Sequence, residues 1–357
     1  MFIADRMSKI DSSGIRKVFN LAAQMKNPVN LSIGQPDFDV PEEIKEAAVK
    51  AVMGNKNSYT ITQGIGELRQ FCEQTYFDRY KYKAPASIIT SGVSGGLLLA
   101  LMATVNPGDE VLIPDPYFVM YKHLVNLLGG VPVYYNTYPD FKVHVADIQS
   151  KITPKTKILL INSPANPTGT VLEEDDLKAV AEVAKKNNLL VFADEIYEEF
   201  CFDGPYRSIS EFMTDNLLVF NGYSKSASVT GWRIGYVLGD AEIINEMIKL
   251  QQYSFVCTPS FAQYALLAYS KIDREKIKST YREKRDIIYN GLKDKFKVVK
   301  PGGAFYVFPQ KPDKYKTATE FVEQAIANKV LIIPGNVFSE HDTHFRISFA
   351  ASNETLK

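Results

Sequence analysis

The sequence predicts an α/β protein: a large domain on a mostly parallel seven-stranded sheet flanked by helices, followed by a smaller α+β domain. Length predicts the division, because 357 residues exceed what one ordinary hydrophobic core organises. Between residues 85 and 238, short apolar runs alternate with amphipathic stretches, the pattern of buried strands joined through helices. Beyond residue 238 the texture changes to long charged helical stretches with strands between them.

The first strand is expected at residues 87–90 (SIIT), and the apolar stretch 96–104 reads as a helix. A strand at 110–113 (EVLI), a helix at 117–127 and a strand at 131–134 (VPVY) follow. The run 157–161 (KILLI) is a strand, the acidic-to-basic stretch 173–186 a helix, and 189–193 (LLVFA) a strand. Strands at 217–220 (LLVF) and 234–238 (IGYVL) complete the set. Helices are then expected at 241–252 and from 263 to about 295, strands at 296–299 and 304–308, a helix at 319–328, and strands at 330–333 and 344–349. The expected division is residues 1–35 as an arm joining the small domain, 36–265 as the large domain and 266–357 as the small one. Sheets of this kind bind ligands beyond the carboxyl ends of their strands.

Acidic and basic side chains balance at 41 each, which argues against a nucleic-acid or anionic-membrane partner and for a small neutral or zwitterionic substrate. Cys72, Cys201 and Cys257 are far apart and odd in number, so they form no disulfide framework or zinc spacing and point to a reducing cytoplasm. The histidines make no metal-ligand motif; His341 and His344 read as two partly solvated imidazoles, and no metal is expected. Residues 1–20 lack the apolar core of a signal peptide, and no apolar run approaches membrane-spanning length.

Five segments carry residue types that fit one chemistry. A buried-looking strand leads into Asn221-Gly222-Tyr223-Ser224-Lys225-Ser226, then Thr230-Gly231-Trp232-Arg233-Ile234. A lone lysine is ordinarily a solvated charge. Lys225, however, stands among small residues at a strand end, and Arg233 sits between apolar neighbours, where its planar fork suits a phosphate. An amine shielded from water beside an arginine has a lowered pKa, which favours a Schiff base. The strand 189–193 ends in Asp194-Glu195-Ile196-Tyr197. A carboxylate at the end of a buried strand wants a positive partner, and a pyridinium nitrogen is one; the alternative is an acid capping the next helix. Tyr197 is spaced to reach the same cofactor's phenolic oxygen. The turn Asn162 to Gly169 aims Asn166 at a ligand or is simply a rigid turn. Ser91-Gly92-Val93-Ser94-Gly95-Gly96, between strand and helix, makes an anion cradle without the lysine of a Walker loop or the dinucleotide spacing. In 344–349, Phe345, Ile347 and Phe349 share one face, and His344, Arg346 and Ser348 the other. Arg346 either faces solvent or clamps a carboxylate.

In this order the segments resemble the class I/II aminotransferases of the fold-type I pyridoxal 5′-phosphate (PLP) superfamily, the aspartate and aromatic aminotransferase group. The resemblance covers nearly the whole chain, from Arg6-Met7-Ser8-Lys9-Ile10 and Ile33-Gly34-Gln35-Pro36 through Gly64-Ile65-Gly66-Glu67-Leu68-Arg69, Asp115-Pro116-Tyr117-Phe118 and Asn166-Pro167-Thr168-Gly169. It continues in Asp194-Glu195-Ile196-Tyr197, Ser224-Lys225 eight residues before Arg233, Gly303-Ala304-Phe305-Tyr306 and Arg346-Ile347-Ser348-Phe349. It implies that Lys225 carries PLP and shuttles the substrate proton, and that Asp194 pairs with the pyridine nitrogen. Asn166 and Tyr197 then face the phenolic oxygen, and Phe118 stacks on the ring where many relatives have Trp. Val93, Ser94, Ser224 and Arg233 hold the phosphate, joined by Tyr59 from the partner of a homodimer with shared active sites. Gly34, Asn166 and Arg346 receive the substrate carboxylate. Two departures stand out: Gly222 replaces a serine that many relatives carry, and the chain ends early in the family's C-terminal helix. Ser352 and Asn353 are good caps, but so short a helix does not sustain itself in water, so the tail is expected to be truncated or held by packing.

The activity implied is ping-pong exchange of an amino group between an L-amino acid and a 2-oxo acid. A carbon–sulfur β-lyase would use the same cofactor site, and a PLP-sensing regulator would need a DNA-binding domain for which the chain has neither room nor charge. Aspartate-using members supply a lysine from the glycine-rich turn for the distal carboxylate, and the matching residue here is Ser94. Aromatic or neutral donors are therefore expected over aspartate, with a mobile arginine such as Arg16 receiving the acidic acceptor.

Overall fold

The computed structural model of the chain describes residues 2–12, 14, 15, 18 and 25–357. After a short strand β1 (Val29–Asn30), all seven apolar runs form strands: β2 (Ala86–Thr90), β3 (Glu110–Asp115), β4 (Val131–Asn136), β5 (Thr156–Asn162), β6 (Leu190–Asp194), β7 (Leu217–Gly222) and β8 (Gly235–Gly239). They make one sheet in the order β2-β8-β7-β6-β5-β3-β4. Its β3 to β7 pairings are parallel, and only β8 runs against its neighbours. The cause is local: the link from β7 to β8 holds a 3-10 turn (Thr230–Trp232) instead of the helix a parallel crossover needs.

Strand alternation decides how the sheet is covered. In β5, Ile158 and Leu160 join one core cluster, while Leu159 and Ile161 join the cluster on the opposite face. Phe192 against Val191 and Ala193, and Leu218 against Leu217 and Val219, split the same way. Such strands are apolar throughout because both faces are packed. Helices α1 (Glu42–Met53), α2 (Gly66–Tyr80), α5 (Val145–Lys151) and α6 (Glu174–Lys186) feed one cluster. Helices α3 (Gly92–Thr104), α4 (Met120–Leu127) and α7 (Ala241–Tyr253) feed the other.

The C-terminal part contains α8 (Ser260–Ala265), α9 (Arg274–Leu292), α10 (Ala318–Ala327) and a single turn α11 (Asn353–Leu356). Strands β11 (Ile333–Pro334), β12 (Phe345–Ser348) and β9 (Tyr306–Val307) form an antiparallel sheet, and β10 (Val330–Leu331) pairs in parallel with β1. Phe345, Ile347 and Phe349 all enter the core cluster of this region, as alternation predicts. Leu356 is buried in the same cluster, and Ser352 caps the turn that carries it.

Three expectations need correction. The stretch 263–295 is not one helix: α8 passes into a 3-10 segment (Leu266–Lys271), and Asp273 then caps a new helix by accepting from the Lys276 N–H at 3.0 Å. Residues 296–299 are not a strand, because Phe296 and Val298 pack on the core while the Lys297 carbonyl takes a single backbone bond, from Gln310. Helix α3 starts at Gly92 rather than at residue 96, so the glycine-rich turn is its first turn.

Candidate active site

Register brings the strand ends together. Asn162 at the end of β5 lies beside Asp194 at the end of β6, and Asp194 lies beside Phe220 of β7. Gly235 at the start of β8 sits between Thr90 and Gly222, the ends of β2 and β7. The turn into α3, the Lys225 segment and Arg233 therefore meet at one edge of the sheet. Of the residues expected at the site, Gly34, Val93, Ser94, Phe118, Asn166, Asp194, Tyr197, Ser224, Lys225, Arg233 and Arg346 all line one cavity of about 260 Å³. Tyr59 does not; it is 85% exposed and borders a separate surface recess with Tyr264. Arg16 lies outside the described residues.

Lys225 is half-buried on the cavity wall, and its amine donates to the Gly34 carbonyl at 2.7 Å. Burial, then the neighbouring charges of Arg346 and Arg233, bring its pKa down to about 8, with Asp194 opposing. Asp194 is buried; its Oδ2 accepts from the Tyr121 hydroxyl at 2.6 Å and its Oδ1 from the Ile196 N–H at 3.3 Å. Burial raises its pKa to about 6 against the Tyr121 hydrogen bond. It caps no helix. Glu195 belongs to a different network, where Tyr76 and Ser208 donate to it at 2.7 and 2.8 Å. Burial pushes that carboxyl up to about 8.

Arg346 is 1% exposed, which removes the solvent-facing alternative. It donates to the Ser32 carbonyl at 2.7 Å and to Asn166 Oδ1 at 3.0 Å, while its Nε has no partner. The rings of Tyr306 and Phe338 flank the guanidinium at 4.6 and 4.5 Å. Among the described residues no carboxylate pairs with Arg346, Arg233 or Lys225. Asn166 is held in turn by Asn162, whose Oδ1 accepts the Asn166 N–H at 2.8 Å and whose amide donates to the Asp194 carbonyl at 2.9 Å. The Tyr197 hydroxyl meets that of Tyr306 at 2.8 Å, and Phe118 packs edge-on to Tyr121.

The turn into α3 is built for close approach. Gly92 has φ +67°, and a Cβ there would lie 2.6 Å from Arg233 Nη2. Ser91 makes no side-chain cap bond, so the first amides of α3 remain free to meet an anion at the positive end of the helix. Arg233 lies across this turn with φ 58°, donating to the Thr230 and Ser91 carbonyls.

Sequence reasoning missed the roles of Tyr121, Asn162 and Tyr306 in this wall. Tyr121 lies one helical turn beyond Phe118, and Asn162 is a polar residue ending a buried strand; both signals were present. The bond from Tyr197 to Tyr306 had no local signal.

The geometry has clear relatives. Residues 26–357 match the family model for aminotransferase class I and II. The probable aspartate aminotransferase of Methanocaldococcus jannaschii is 40% identical, over 99% of this chain and 97% of the relative. Aromatic-amino-acid aminotransferase 2 of Thermococcus litoralis is 35% identical over 100% of this chain and 96% of its own. The solved structure of Thermus thermophilus aspartate aminotransferase with maleate superposes with a TM-score of 0.96 at 33% identity, covering 100% of this chain and 97% of the other. With the fold, the strand-end cavity and these similarities in agreement, the chain belongs to the class I and II aminotransferases and is a transferase enzyme.

Proposed function

We propose that the enzyme exchanges an amino group between an L-amino acid and a 2-oxo acid by a ping-pong mechanism, with PLP held covalently on Lys225. The observation that carries the reading is a half-buried lysine lining one cavity with a buried acid, where burial brings the amine down to about 8 and, among the described residues, no acid pairs with either arginine. The residues fit the cofactor: the glycine cradle under Arg233 is shaped for a phosphate, and the acid at Asp194 for a ring nitrogen cation. When bound, PLP supplies the electron sink that stabilises charge at the substrate's Cα. Val93 and Ser94 amides, Ser224 and Arg233 bind its phosphate; Asp194 orients the ring from the nitrogen side, Phe118 packs on it, and Asn166 and Tyr197 face its phenolic oxygen. Arg346, with Asn166 and the backbone at Gly34, binds the substrate carboxylate. The Lys225 amine, once free, takes and returns the substrate proton.

Aromatic or neutral donors are favoured over aspartate in this reading. Beyond Lys225, Arg233 and Arg346 the described lining carries no cation, Ser94 bears no charge, and Ile15, Leu97 and Phe118 make the wall apolar. Burying a second carboxylate there unpaired is costly. The reading also includes a homodimer in which Tyr59 reaches the partner's phosphate site; Tyr59, Ile61 and Tyr253 are exposed side chains that such an interface would cover. The division into residues 1–35, 36–265 and 266–357 and a cytoplasmic location belong to the same proposal, the latter on three unpaired cysteines. No helix of the described residues is long and apolar enough to cross a membrane.

A half-reaction screen tests the function. Each amino acid is added to the PLP-loaded enzyme while absorbance is followed and products are identified. Formation of the 2-oxo acid with a pyridoxamine enzyme supports it, and release of ammonia and pyruvate refutes it.

A further inference from the structure

Asp194 is a carboxylate buried at a strand end, and among the described residues no cation pairs with it. Two donors hold it instead. The Tyr121 hydroxyl gives Oδ2 a short bond of 2.6 Å, and the Ile196 N–H gives Oδ1 a longer one of 3.3 Å. Oδ1 is thus the oxygen with capacity left for a ligand. Tyr121 itself is buried, lines the cavity and is fixed edge-on against Phe118 at 5.6 Å, so its hydroxyl has little freedom to turn elsewhere. Burial and the nearby Asp194 charge hold its pKa well above the usual phenol range, which keeps it a donor rather than a base.

We propose that Tyr121 is the positioning residue for Asp194: its hydroxyl fixes one carboxylate oxygen and presents the other to the protonated ring nitrogen of the cofactor. The inference rests on the reading that Asp194 pairs with that nitrogen. A hydrogen bond to the charged form of an acid favours ionisation, and an acid must be ionised to pair with a cation. Without the hydroxyl, burial acts on Asp194 with only the weak Ile196 bond and the more distant Lys225 charge to oppose it. The acid then takes up its proton at higher pH, and the pairing weakens in the neutral range.

The test is Tyr121→Phe, which keeps the ring and removes the hydroxyl. Apoenzyme is titrated with PLP between pH 5 and 9, and in parallel with a PLP analogue carrying carbon in place of the ring nitrogen. The expected result is a loss of roughly tenfold or more in PLP affinity at neutral pH, the scale of one hydrogen bond to a charged group. The pH below which PLP affinity falls should also move upward from the wild-type value, while the nitrogen-free analogue binds both proteins alike. An equal loss for both cofactors, or an unmoved pH midpoint, would reduce Tyr121 to a packing role and overturn the proposal. If the wild type itself binds the analogue as tightly as PLP, the pairing at Asp194 fails and the Tyr121 role falls with it.

Discussion

Replacing Arg346 separates what the site needs for binding from what the fold needs for stability. The guanidinium is buried and, among the described residues, bonds only to the Ser32 carbonyl and Asn166 Oδ1, leaving Nε without a partner. Removing it takes away two hydrogen bonds and strands two acceptors, a loss of about 1–3 kcal/mol each. It also removes a buried charge that no carboxylate among the described residues balances, a gain on the order of several kcal/mol. The two effects are of similar size, so Arg346→Met should melt within a few degrees of wild type when no substrate is present. Substrate recognition has no such compensation. Losing the partner of a buried carboxylate costs about 2–5 kcal/mol, or roughly 30- to 5,000-fold in kcat/KM. Arg346→Lys keeps the charge but not the fork and should fall about 10- to 100-fold. The assay compares kcat/KM for phenylalanine with that for the amine lacking its carboxylate, on which wild type and variants should converge. Arg346→Met within tenfold of wild type on phenylalanine would refute the clamp.

Borohydride reduction of the PLP-loaded enzyme followed by peptide mapping should place the label on Lys225. PLP capture should quicken as pH rises through about 8, because the lowered pKa leaves the amine neutral only above that value; a flat profile contradicts it. Tyr59→Phe should loosen PLP several-fold in the dimer without changing its melting temperature, measured by cofactor titration; a fully active monomer argues against a shared site. With a common acceptor, kcat/KM for phenylalanine and tyrosine should exceed that for aspartate by at least about tenfold; an aspartate preference means a cation reaches the site from outside the described lining.

Much of this molecule was legible because its signals are local. Doubly covered strands announce themselves as apolar runs, and β5 and β6 fall where KILLI and LLVFA place them, give or take one residue. Lys225, Asp194 and Arg233 stood out because charges beside buried strands demand partners. The resemblance supplied Gly34, Phe118 and Ser224, which composition alone does not single out. Other features were hidden for physical reasons. Asp273 ends one helical segment and starts another inside a charged run, where its capping bond to Lys276 looks like any acid among bases. The partnership of Arg346 with Asn166 spans 180 residues, and that of Tyr121 with Asp194 spans 73. Such contacts depend on strand order and register, which periodicity does not encode.

The same separation explains why the site is arranged as it is. Lys225 and Arg346 both rest on carbonyls of one short segment, at Gly34 and Ser32, and both are cations without an acid partner among the described residues. A carbonyl dipole satisfies a donor's geometry but leaves most of its charge uncompensated. Arg233 also rests on backbone carbonyls, over the first amides of α3, but it is exposed and water shares its charge. The folded chain therefore holds Lys225 and Arg346 beside one buried acid, an arrangement that self-contained packing would disfavour. If the proposed phosphate and carboxylate groups bind there, they supply the missing charge, and binding should raise the melting temperature as well as position the reactants. On the proposed reading, the stability these cations withhold from the fold returns as affinity for the ligands that pair with them.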